Sequence, residues 1–132
     1  MANFGYDKAL SFGRLATIAN GNFPDILNLG SVAGGTDLFP DKAGTNADRM
    51  TVDVCWVNPA GGTSVTVTVQ GSDDSSTWVT VGSNTSTLAA MQWSLTCVAI
   101  SPNDFKFLRV TLACTGTFTG SAQALLNTYA GK

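Results

Sequence analysis

The sequence predicts an all-β fold, an antiparallel β-sandwich. Three observations carry this. Residues 64–70 alternate strictly, with Val65, Val67 and Val69 between Ser64, Thr66, Thr68 and Gln70, a period of two that gives a strand one buried and one wet face. A tip of turn-forming residues, 71–76, then leads into Trp78-Val79-Thr80-Val81, completing a β-hairpin with an acidic end. The same grammar recurs through the C-terminal half, and seven or eight strands with regular turn signals belong to a sandwich, immunoglobulin-like or jelly roll.

Taken in order, residues 1–24 carry little strand signal. Phe4, Tyr6, Leu10, Phe12 and Leu15 are scattered among Gly, Asn and Ser. The segment reads as an extended N-terminal arm lying on a neighbouring subunit, or as an irregular leader packed on its own sandwich. A short helix over residues 7–19 is the further option. The sandwich proper is expected over 25–132. Residues 23–30 make a short strand with Leu27 and Leu29 on one face and Pro24 at its start. A long Gly- and Pro-containing loop, 31–48, presents Leu38 and Phe39 at an apolar tip. Residues 50–57 alternate with Met50, Val52, Val54 and Trp56 inward, and 58–62 are expected to turn the chain. After the hairpin, 82–87 is read as a polar loop. Residues 91–100 place Met91, Trp93, Leu95, Cys97 and Ala99 on one face, with Gln92, Ser94 and Thr96 outward. Residues 105–112 change phase, which a bulge near Phe107 would accommodate. A turn at Thr115-Gly116 precedes a closing strand with Phe118, Ala122, Ala124 and Leu126 inward.

Composition narrows the function. Charged residues are 12% of the chain, about half of the roughly 25% usual in soluble domains, so its Thr-, Ser- and Asn-rich surface loses little hydration on being covered. A net charge of −2 argues against nucleic acid. No run of apolar residues approaches the ~20 needed to cross a bilayer, and the N-terminus lacks a secretory core, so synthesis in the cytoplasm and no membrane partner are expected. Cys55, Cys97 and Cys114 lack metal-ligand spacing and read as buried free thiols. Cys55 and Cys97 do not read as an immunoglobulin disulfide, because Trp56 sits beside the first of them.

Catalysis finds no support in the residue types. There is no histidine to activate a serine, no glutamate, and the carboxylates Asp53, Asp73, Asp74 and Asp104 lie mostly in turns rather than as a spaced acid–base pair. A hydrolase built on Asp53, Asp73 and Asp74 is the weakest reading. Asp73-Asp74 with Ser75 and Ser76 offers oxygen ligands but not a calcium-loop spacing, so no metal and no cofactor are expected.

Four segments resemble a known family. Ile26-Leu27-Asn28-Leu29-Gly30, the hairpin 67–78, the Phe-Leu-Arg strand within 101–110, and Thr115-Gly116-Thr117-Phe118-Thr119-Gly120-Ser121-Ala122 occur in the order seen in jelly-roll cement, or capsid-stabilising, proteins of short-tailed bacteriophages. The resemblance covers roughly residues 25–130. It implies a jelly roll and a non-enzymatic virion protein on the capsid exterior. Its partners would be the major capsid protein and itself, as homodimer or homotrimer. Phe4, Tyr6, Phe12, Leu38 and Phe39 would be the interface anchors. The alternative is a carbohydrate-binding β-sandwich module of a phage tail or host-facing surface. Trp78, just past the acidic tip, would then stack on the sugar, and Trp78 or Trp93 would be exposed.

Overall fold

The computed structural model describes residues 11–28, 50–88, 90, 92–100 and 105–128. The described chain is all-β and antiparallel, with strands β1 (Ser11–Leu15), β2 (Gly21–Asn22), β3 (Leu27–Asn28), β4 (Met50–Ser72), β5 (Val79–Thr87), β6 (Trp93–Ala99) and β7 (Phe107–Thr128). The architecture hangs on β4 and β7, which pair along almost their whole length, from Met50↔Thr128 to Ser72↔Phe107. Their register shifts at Val57/Ala60, Ala60/Gly62 and Gly62/Ser64. Such irregularities kink a strand and raise its twist. Here three within a few residues bend the pair, and Asn58, at φ 52°, supplies a left-handed residue there.

Each half of the bent pair gathers its own neighbours. Residues 50–57 of β4 pair with β6 and with the C-terminal part of β7, which pairs with β1. Residues 64–71 of β4 pair with β5 and with the N-terminal part of β7, which pairs with β2 and β3. The result is two antiparallel layers with jelly-roll connectivity. The inward side chains of both form one core that includes Phe12, Val52, Val54, Trp56, Val65, Val67, Val69, Val98, Leu108, Val110, Phe118 and Leu126.

Several local expectations are corrected. No described residue of 7–19 is helical; Ser11–Leu15 is a strand on β7. The expected turns at 58–62 and 115–116 do not reverse the chain, because β4 and β7 run through them as one bent pair. Residues 82–87 continue β5, opposite Val69 to Ser64. The β4–β7 register is unbroken from Ser64↔Thr115 to Ser72↔Phe107, so no bulge sits at Phe107. The irregularity lies instead between Val69 and Gln70, opposite Gly82 and Thr80, and leaves Val81 as the extra residue.

The largest correction concerns β6, whose phase is inverted. Thr96 and Val98 are buried, while Trp93, Leu95, Cys97 and Ala99 face solvent. The inward phase serves Trp56, fully buried, whose indole N–H needs an acceptor. Thr96 Oγ1 accepts it at 2.8 Å and shares a further hydrogen bond with Ser86 Oγ at 2.7 Å. Pointing Thr96 inward sends the more apolar side of the strand outward.

Candidate functional site

The inverted β6 creates the most conspicuous surface of the domain. On the outer face of its layer, Trp93 lies opposite Val57, and Leu95 opposite Cys55. Trp93 is 65% exposed, Leu95 50% and Val57 42%, an exposed apolar cluster on this sheet face. Cross-strand neighbours sit ~5 Å apart on such a face, so the indole stands over a contiguous apolar strip. Beyond it, Cys55 is opposite Gln123, which is opposite Arg14. Asp53 is opposite Cys97 and accepts a hydrogen bond from Thr51 Oγ1 at 2.9 Å. One sheet face thus combines an exposed indole with amide, guanidinium and carboxylate groups.

The thiols are free, and they are not buried as expected: Cys97 is exposed, Cys55 and Cys114 half-buried. Partial desolvation, then the hydrogen bond and charge of Asp53, push the Cys97 thiol above its ordinary range. The thiolate is the nucleophile, so Cys97 should be alkylated by iodoacetamide more slowly at neutral pH than its exposure suggests. Its rate should rise only toward higher pH, and Asp53→Asn should accelerate it. Modification at the rate of an unstructured cysteine, followed by mass spectrometry, would contradict this.

Trp78, the residue expected to stack on sugar, is placed differently. It is half-buried, and the Arg109 guanidinium lies 4.3 Å from its ring centroid. Arg109 Nε–H also donates to Gln70 Oε1 at 2.8 Å. The acidic tip turns inward on itself: Asp74 Oδ1 accepts from Ser76 N (2.8 Å), Thr77 N (2.9 Å) and Ser72 Oγ (3.0 Å). Those bonds, led by Thr77 and Ser76, hold the Asp74 carboxyl below its usual range. Among the described residues no three His, Cys, Asp or Glu side chains could jointly hold a metal.

Of the anchors expected at a capsid interface, one is described. Phe12 is fully buried in the core, because β1 pairs with β7 and turns this ring into the sandwich. Phe4, Tyr6, Leu38 and Phe39 lie outside the described residues.

No protein-family model and no curated protein matches the chain. Solved structures do. One is of the C-terminal family 22 carbohydrate-binding module of Clostridium thermocellum Xyn10B, at 17% identity and a TM-score of 0.42, with 74% of this chain covered. The chain spans 62% of the length of that structure. A proposed sugar-binding protein from Bacteroides thetaiotaomicron matches at 13% identity and a TM-score of 0.37, over 65% of this chain and 64% of its own. The CBM22-1–GH10 modules of the Clostridium thermocellum xylanase, complexed with xylohexaose, match at 12% identity and a TM-score of 0.34, over 69% of this chain and 20% of that one. At these values the likeness is one of β architecture. A virion protein is not among the three. The capsid-cement function expected from the motif resemblance is corrected: the three similar structures are described as carbohydrate- or sugar-binding, and its Phe12 anchor is buried in the core.

Proposed function

We propose that this domain is a carbohydrate-binding module whose platform is the outer face carrying Trp93. The observation that carries the reading is the exposure of Trp93 on the outer face of β6. Burying such a ring against solvent-poor C–H groups recovers apolar surface that the fold leaves in water. An extended β-1,4-linked glycan presents flat C–H faces of this kind, with hydroxyls at its edges. Gln123, Arg14 and Asp53, on the same side of the same layer, supply the donors and acceptors those hydroxyls need. The low charge of the chain suits the role, since few ionic groups lose water when the sugar settles. The reading is one of binding, and no step of catalysis enters it.

The test is titration of the protein with xylohexaose and cellohexaose, followed by tryptophan fluorescence, alongside a broad glycan array. Binding should perturb the emission, and Trp93→Ala should weaken it by about tenfold or more. The same variant should leave thermal stability almost unchanged, because an exposed side chain contributes within about 0.5 kcal/mol. A silent array, or glycan binding untouched by Trp93→Ala, would remove the proposal.

A further inference from the structure

On the other layer, alternation places Thr66, Thr68 and Gln70 of β4 outward, because Val65, Val67 and Val69 are fully buried. Arg109 and Thr111 of β7 face outward for the same reason, between the buried Leu108, Val110 and Leu112. The registers set Thr80, Gln70 and Arg109 in one cross-strand row, and Ser83, Thr68, Thr111 and Asn22 in the next. This face is thus a hydroxyl- and amide-bearing sheet with a single guanidinium at its end.

That guanidinium is held in place by two uncharged side chains. Trp78 lies against its flat side, and Gln70 takes its Nε–H. Neither of these two partners carries a charge. At the hairpin tip, Asp74 Oδ1 accepts hydrogen bonds from its own loop. The stacking uses the face of the guanidinium and the amide bond its Nε–H, so neither contact occupies the terminal Nη edge. A guanidinium held this way matches a carboxylate through two parallel N–H···O bonds. We propose that Arg109, held between Trp78 and Gln70, binds the carboxylate of an acidic sugar, a hexuronate, whose hydroxyls lie along the Thr80 and Thr68–Thr111 rows. An acidic peptide fits less well, because this face offers hydroxyl rows rather than apolar pockets for side chains. The site is on the layer opposite Trp93 and does not depend on the platform there.

The experiment compares trigalacturonate with its methyl ester, which keeps the skeleton and removes the charge. Binding is followed by the Arg Nε–H and Trp Nε1–H resonances of the labelled full chain. The acid should bind about tenfold more tightly than the ester, with an affinity that falls as salt rises. Arg109→Gln should abolish the preference, Arg109→Lys should retain only part of it, and Trp93→Ala should leave it intact. Equal binding of acid and ester would overturn the proposal. So would a preference that survives Arg109→Gln, or an oligo-aspartate peptide that binds as tightly as the uronate. Because neutral-glycan binding is read through Trp93→Ala, failure of one site is distinguishable from failure of the other.

Discussion

Replacing Gly120 by valine should lower the stability of the domain by about 3 kcal/mol or more, and its Tm by roughly 10 °C or more. Gly120 has φ +102° and sits where β7 passes over the bend of β4. A Cβ there would lie 2.5 Å from the carbonyl oxygen of Asn58 and 2.7 Å from that of Val57. Both obstacles are backbone, so relief requires moving the β4 bend, and Gly120 O also accepts Ile18 N–H at 2.9 Å. A branched side chain adds a conformation it adopts with difficulty. Gly21→Ala is the matched control: φ is +127°, but nothing lies within 4 Å of the added Cβ, so only the backbone preference, about 1 kcal/mol, should be lost. Urea unfolding of the two variants separates steric from conformational cost. Equal, small losses would show that the bend tolerates a side chain.

Trp56→Ala should cost about 3–5 kcal/mol. The side chain is fully buried at the centre of the core and is the largest there. Its N–H donates to Thr96 Oγ1 at 2.8 Å. Thr96→Val keeps the shape but orphans that N–H, at about 1–3 kcal/mol. Trp56→Phe removes the donor instead, leaving Thr96 its bond to Ser86. In the double variant the orphan is gone, so Thr96→Val should cost clearly less in the Trp56→Phe background than alone. Strict additivity in denaturant titrations would mean that the Trp56–Thr96 bond does not set the phase of β6.

Strand-forming segments were legible from their alternation, and so were the buried faces of β4 and of the closing part of β7, though not that of β6. Val65, Val67 and Val69 are fully buried, as are Val52, Val54 and Trp56, and Phe118, Ala122, Ala124 and Leu126 point inward as expected. The hairpin 64–81 pairs as its turn chemistry requires. Bends were read as ends, because Asn58-Pro59-Ala60-Gly61-Gly62 and Thr115-Gly116 carry the same residues a reversal would use. Whether such a stretch reverses or merely kinks depends on what lies across it, here the other bent strand. The polar stretch 82–87 was missed as a strand because as an edge its exposed face needs no apolar residues.

The candidate site was the least legible part. Trp93, Leu95, Cys97 and Ala99 look like a core face by composition, and Thr96 like a surface residue. The register gives either face an equal claim, since slipping the phase of a strand exchanges its two sides. What the sequence by itself determined is the all-β class, the central hairpin and the valine-rich half of the core, because hydrophobic period is a local property of the chain. Only the tertiary structure decided that two long strands bend together into two layers and that Phe12 is core. It also decided that a tryptophan-bearing face is left in water. The reason is that a buried indole N–H must find an acceptor, and that acceptor, Thr96, lies 40 residues away in the chain.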